Sequence, residues 1–237
     1  MSKTLERSIA ALFGPGVAVA ALPVAGAYPA LLPAEEPAVA RAVPARRAEF
    51  TAGRTAARLA MQRLGLPPVA IPAAPDRSPV WPAGVTGSIS HAAGFCAVAV
   101  SRDTRAPLGL DIEDPAPLDD DLWPLVLTPD EMTMLAHLPP LRRGHAAKRI
   151  FGIKEAAYKA QFPLTGAVIG FQALKVILDD IPEPGGDTVC ATIHCTAFGT
   201  MIPGLPELFP DGGRDCRICG PGPQTENLML ATIRLPA

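Results

Sequence analysis

The chain has no excess of positive charge: 21 Lys and Arg stand against 23 Asp and Glu, for a net charge of -2. A protein whose main task is to bind bulk nucleic acid or an anionic membrane is therefore not expected, although local basic patches are not excluded. Also missing is an uninterrupted apolar run of about eighteen residues, the length a membrane-spanning helix needs. The uncharged stretch "SIAALFGPGVAVAALPVAGAYPALLPA" comes nearest, but Pro15, Pro23 and Pro29 and several glycines break it. It reads as buried strands joined by a "GPG" turn, rather than as a cleaved signal or a stable membrane insertion.

An even, regularly spaced set of cysteines is absent too; there are five, unevenly spread. That excludes a disulfide framework and suits a reducing cytoplasm. Cys190, His194 and Cys195 in "CATIHC", with Cys216 and Cys219 in "CRIC", raise the question of zinc. The β-branched run around the first group and the missing turn glycine at the second favour structural cysteines. No fixed-period repeat is present, and no "GxSxG" elbow, so Ser90 and His91 in "GSISH" are not read as a serine hydrolase.

What is present is an ordinary soluble composition, 49% hydrophobic and 19% charged over 237 residues, enough to bury one large core or two small ones. In "VPARRAEFTAGRTAARLAMQRLG" apolar residues recur at helical spacing through Phe50, Gly53, Ala57, Met61 and Leu64, and Gly65 closes the helix. Its other face carries Arg46, Arg47, Arg54 and Arg58. A proline-rich loop leads to "GSISH", then to the strands "FCAVAVS" and "APLGLDIED". Thr128 and Glu131 form a capping-box pattern at the start of one helix, and "GHAAKRIFGIKEAAYKAQF" makes the next. "FQALKVILDD", "TVCATIHCTAF" and "LMLATIRLPA" read as strands, and "PELFPDGGRDCRICGPGPQTE" as a mobile surface insertion. The chain is thus α+β, with a boundary near residue 104 separating residues 1–104 from 105–237.

In "GLDIEDP" the alternation of a strand puts Asp111 and Glu113 on one face and Leu110 and Ile112 on the other. Two carboxylates on one face repel unless they run out into solvent or share a hard cation such as Mg2+. On the following helix Glu155 and Lys159 are four apart and share a face, with Lys154 adjacent and Tyr158 on the flank. Phe151 and Tyr158 would form the core-facing stripe.

Taken together, "GSISH", "LGLDIED" and "FGIKEAAYK", in this order and spacing, closely resemble the signature of the 4'-phosphopantetheinyl transferases. The arginine-bearing helix, "SPVWPAG" and "VLTPDE" are similar to the enterobactin-synthetase type within that family. The resemblance implies two similar α+β subdomains in a pseudo-twofold arrangement, with coenzyme A in the cleft between them. The activity it implies is transfer of 4'-phosphopantetheine from coenzyme A to a serine of an apo acyl, aryl or peptidyl carrier protein, in nonribosomal peptide, polyketide or siderophore biosynthesis. Asp111, Glu113 and Glu155 would hold Mg2+ on the pyrophosphate, with Glu155 also the general base. Lys159 would neutralise the leaving phosphate, Lys154 would assist, and His91 would hydrogen-bond a phosphate oxygen with Ser90 beside it. Arg46 and Arg54 match cations for the nucleotide 3'-phosphate; helical geometry puts Arg47 rather than Arg46 in line with Arg54, so that choice stays open. Arg77 is a further phosphate candidate, and Arg58 is as well explained by a solvated face. Gly152 departs from the serine usual in the family and is expected to loosen the helix start. A Mg2+-dependent hydrolase of a pyrophosphate-containing nucleotide and a non-catalytic zinc or carrier-binding module are the competing classes.

Overall fold

The structure, a computed structural model, describes residues 3–178, 188–197, 199–210, 213–219, 225 and 228–235. It begins with a helix, α1 (Lys3–Phe13), where buried strands were expected. Leu5, Ile9, Leu12 and Phe13 are buried at helical spacing, and that period outweighs the overall apolar character of the segment. Gly14, at φ +77°, ends α1 by donating its N–H to the Ala10 carbonyl at 3.0 Å. The "GPG" turn then leads into β1 (Val17–Pro23), so only its second half is a strand.

Next come α2 (Pro44–Arg63), β2 (Thr86–Ala92), β3 (Phe95–Ser101) and β4 (Leu108–Glu113). β2 and β3 form a tight hairpin through Ala93 and Gly94, both at positive φ, the backbone that a two-residue hairpin turn demands. "GSISH" therefore lies within a strand rather than ahead of one. The antiparallel sheet β1-β3-β2 carries α2 on one face, through Ala52, Ala56, Ala60 and Met61 packed on Val98 and Val100.

The second half holds α3 (Trp123–Val126), α4 (Pro129–Ala136), α5 (Pro140–Thr165), β5 (Leu174–Leu178), β6 (Thr188–Cys195), α6 (Leu205–Leu208), β7 (Arg214–Cys219) and β8 (Met229–Arg234). Its antiparallel sheet runs β4-β8-β7-β6-β5, with α5 across it. "RDCRIC", expected in a mobile insertion, is the interior strand β7, with Cys216, Ile218 and Cys219 buried. Residues 211–212, 220–224 and 226 of that insertion lie outside the described residues. The zinc reading of the cysteines finds no support in their placement: Cys190 is exposed, whereas Cys216 and Cys219 are buried in the sheet. Burial raises the Cys96 thiol to about 12, so it is protonated and inert.

The molecule is α+β, and each half lays a long helix on an antiparallel sheet. The two halves are nonetheless unequal, with three strands against five. They meet along β2 and β4, and one cluster spans the junction: Leu5, Ile9, Val19 and Ala99 pack with Leu108, Leu110, Ile112 and Leu230. Among the described residues no helix is long and apolar enough to cross a membrane.

Candidate active site

The site is built where α5 crosses β4. A Cβ on Gly109 would collide with the carbonyl oxygen of Ala156, so glycine there is what lets helix and strand touch. Two residues along the strand, on the same face, Asp111 lies 3% exposed beneath the helix. Its Oδ1 accepts from Lys159 Nζ at 2.6 Å and from Ser90 Oγ at 2.9 Å. Its Oδ2 is buried and has no hydrogen-bond partner among the described residues.

The serines of β2 fix β4 in place. The Leu110 N–H donates to Ser88 Oγ at 3.0 Å and the Ile112 N–H to Ser90 Oγ at 3.3 Å. Hydroxyls thus stand in for a backbone ladder between the two sheets, which calls for a small polar residue at alternate positions. Ser90 also receives Lys159 Nζ at 3.2 Å, and Lys159 donates further to the Leu110 carbonyl at 3.2 Å. Ser90 is 4% exposed, so the structure makes it a positioning group for Asp111.

Glu113 and Glu155 complete an acidic group around Asp111. Burial, then the charge of Asp111, raises the Glu113 carboxyl, against the Lys148 ammonium 3.0 Å from its Oε2. Burial likewise raises Glu155; Lys159 opposes the shift, while Asp111 and Glu113 add to it. The donors are all oxygens, they repel one another, and one buried oxygen has no partner: this set suits a hard divalent cation. Among the described residues no three His, Cys, Asp or Glu side chains already converge as a finished cage. Lys148 holds Glu113 and Lys159 holds Asp111, so a bound cation would share or replace these contacts.

Gly152 is interior to α5 rather than at its start, and it faces Asp111: an added Cβ would lie 3.5 Å from Oδ2 and 2.6 Å from the flexible Met229 Cε. In Gly152→Ser the hydroxyl should therefore supply the missing donor. The variant is expected to stabilise the protein by roughly 1 kcal/mol, read as a higher urea midpoint without a change in slope.

The remaining candidates divide. Arg46 Nη1 lies 3.4 Å from His91 Nε2, and both contact Glu49 Oε2 at 3.2 Å, so Arg46 is the arginine that shares a site with His91. Arg47 instead pairs with Glu36 at 2.6 Å. Arg54 is 5% exposed, donates Nε to the Ile71 carbonyl at 2.7 Å and lies over the Phe50 ring at 4.1 Å, and burial lowers its guanidinium to about 10. Arg58 is in a pair with the fully buried Glu35 at 2.6 Å, a structural role and not a solvated face. Arg77 lines a cavity of about 690 Å³ together with Trp81, Thr86, Tyr158, Lys159 and Phe162.

Lys154 differs from expectation. Its ammonium is buried on the α4 side of the helix, 2.7 Å from Glu131 Oε2 and 2.8 Å from the Val126 carbonyl. Adjacent helix positions diverge by about 100°, so the ammonium does not join Glu155 at Asp111. Lys154 and Glu155 both border a smaller cavity of about 200 Å³ with Tyr158, Val168 and Phe171, but the charged end of Lys154 is turned away from solvent. Tyr158, expected in the core, lines both cavities and stacks on Phe162.

Sequence reasoning missed Lys148 and Glu49. Lys148 had a legible signal: residues 148, 152, 155 and 159 recur at helical spacing and share one face of α5. Glu49 sits one turn from Arg46, but its contact with His91 depends on how α2 docks against β2.

Comparison with known proteins bears on the same segments. The model of the 4'-phosphopantetheinyl transferase N-terminal domain matches residues 34–101, and that of the 4'-phosphopantetheinyl transferase superfamily matches residues 107–200. The chain is 42% identical over 159 residues to 4'-phosphopantetheinyl transferase Svp of Streptomyces mobaraensis, across 65% of this chain and 63% of that protein. It is 36% identical over 182 residues to 4'-phosphopantetheinyl transferase Npt of Nocardia iowensis, across 76% of this chain and 78% of the relative. Enterobactin synthase component D of Escherichia coli (strain K12) is 38% identical over 135 residues, across 56% and 62%. The match thus spans less than two thirds of the Streptomyces and Escherichia proteins and more than three quarters of the Nocardia one. The chain belongs to the 4'-phosphopantetheinyl transferase family.

Proposed function

We propose that this protein transfers the 4'-phosphopantetheine of coenzyme A to a serine hydroxyl of an apo carrier protein, leaving adenosine 3',5'-bisphosphate. The observation that carries the reading is the buried Asp111 carboxylate, held by Lys159 at 2.6 Å and by Ser90 of the other family-matched segment at 2.9 Å, near enough to Glu155 to help raise its carboxyl, and with one oxygen unpartnered among the described residues. Asp111, Glu113 and Glu155 would hold Mg2+, which when bound neutralises charge on the pyrophosphate oxygens. The carrier serine is a weak nucleophile until its proton is taken. Glu155, raised by burial and by its acidic neighbours, is suited to take that proton. The serine oxygen then bonds to the phosphorus that bears the pantetheine arm. The bond from that phosphorus to the bridging oxygen breaks, and the 5'-phosphate of adenosine 3',5'-bisphosphate leaves with the electron pair. Lys159 donates toward the charge that develops on the leaving side, with His91, Arg46, Arg54 and Arg77 as nucleotide contacts.

Carriers of this kind are typically acidic, so cations at the mouth of the cleft would steer them. We place the reaction in the cytoplasm, a reducing compartment that suits the five free cysteines.

The test is the intact mass of a panel of apo acyl, aryl and peptidyl carriers after incubation with the protein, coenzyme A and Mg2+, with a chelator control. A phosphopantetheine-sized gain on at least one carrier, abolished by chelator, is the expected result. Coenzyme A consumed with free phosphopantetheine released and no gain on any carrier would replace the transferase by a hydrolase.

A further inference from the structure

Glu49 is an acidic side chain placed between two of the expected phosphate contacts, Arg46 and His91. It lies on α2 three residues after Arg46, and its Oε2 takes Arg46 Nη1 and His91 Nε2, each at 3.2 Å. These two nitrogens are 3.4 Å apart although one belongs to a helix and the other to strand β2. A single anionic oxygen bridging two nitrogen groups is also how a phosphate oxygen would sit between them. The side chains are 48%, 32% and 42% exposed for Arg46, Glu49 and His91, so the arrangement opens to solvent. Among the described residues the Glu49 carboxylate has no other hydrogen-bond partner, and an exposed pair of this kind is weak enough to exchange.

We propose that Glu49 is a placeholder for a phosphate: it holds Arg46 and His91 together in the free protein and is displaced when the 3'-phosphate of a nucleotide takes their donors. The inference rests on the reading above that these two residues seat that phosphate. A carboxylate left beside a phosphate dianion repels it, so Glu49 lowers affinity for any ligand carrying the 3' group. Coenzyme A and adenosine 3',5'-bisphosphate both carry it. Glu49 therefore weakens substrate binding and product retention together, which favours turnover when coenzyme A is abundant.

Glu49→Gln keeps the shape and one acceptor oxygen and removes the charge. Calorimetric titration with adenosine 3',5'-bisphosphate and with 5'-AMP, which lacks the 3' group, separates the effects. The variant is expected to bind the bisphosphate roughly three- to tenfold tighter, with 5'-AMP unchanged and the gain shrinking in high salt. Glu49→Ala should move in the same direction. Equal or weaker bisphosphate binding by both variants would show that Glu49 is not displaced against the phosphate and does not lower its affinity, and would overturn the proposal. Failure of the underlying reading looks different: Arg46→Gln would leave the wild-type preference for the bisphosphate over 5'-AMP intact, and the phosphate seat would fall together with its placeholder. Transfer to a carrier is not needed for any of these readouts.

Discussion

Asp111→Asn is expected to lose phosphopantetheine transfer by about a thousandfold or more in kcat/KM, the scale of removing a central electrostatic group. The substitution is nearly isosteric, so Ser90 keeps a partner and β4 keeps its place. What disappears is the negative charge that faces Lys159 at 2.6 Å and the second oxygen that has no partner among the described residues. The same variant should bind Mn2+ more weakly in the absence of coenzyme A, a calorimetric readout independent of turnover. Transfer within tenfold of wild type would remove Asp111 from the centre of the site.

The second large effect falls on stability rather than chemistry. Lys154→Met is expected to destabilise the protein by about 3–5 kcal/mol, the usual result of breaking a buried pair from one side. Lys154 and Glu131 side chains are each 1% exposed. Burial lowers the Lys154 ammonium while Glu131 pulls the other way, as in a pair whose desolvation is only partly offset. Glu131 also accepts the Thr128 N–H at 2.6 Å and the Val176 N–H at 2.7 Å, so one carboxylate ties α4, α5 and β5 together. Its loss of the ammonium leaves an unbalanced charge inside the core. Adding Glu131→Gln should recover part of the loss, and urea denaturation of the two single variants and the double variant measures the coupling. For the fraction that stays folded, KM for coenzyme A should remain within about twofold of wild type. A much larger rise in KM with stability intact would return Lys154 to the pyrophosphate.

Local regularities made much of this site legible in the sequence. Strand alternation put Asp111 beside Glu113, and helix spacing put Glu155 in line with Lys159. The same spacing includes Lys148, which went unused because a lysine on a helix has many uneventful explanations. What stayed hidden depended on the partner element. Lys154 is adjacent to Glu155 in sequence, yet its fate is decided by where α4 packs. Glu131 was read correctly as a capping glutamate, but its second task required β5 and α5 to be in place. Segments of mixed character misled for a different reason. "SIAALF" is apolar enough for a strand until its buried positions are seen to recur every third or fourth residue, and "RDCRIC" is polar enough for a loop until β6 and β8 flank it.

β4 lies at the edge of its sheet, where its one backbone-ladder partner among the described residues is β8, with Asp111 opposite Ala231. As the chain leaves the ribosome, the strand that carries Asp111 and Glu113 must wait for more than a hundred further residues before its ladder partner exists. Pairing of such distant segments is slow, because the intervening loop loses its freedom before any contact compensates. The helix α1 rests on β1 and also on β8, so part of its packing waits for the same strand. Asp111 can meet Ser90 and Lys159 before that strand exists, whereas the ladder that fixes the other edge of β4 closes late, and a change in β8 that touches no ligand would delay it.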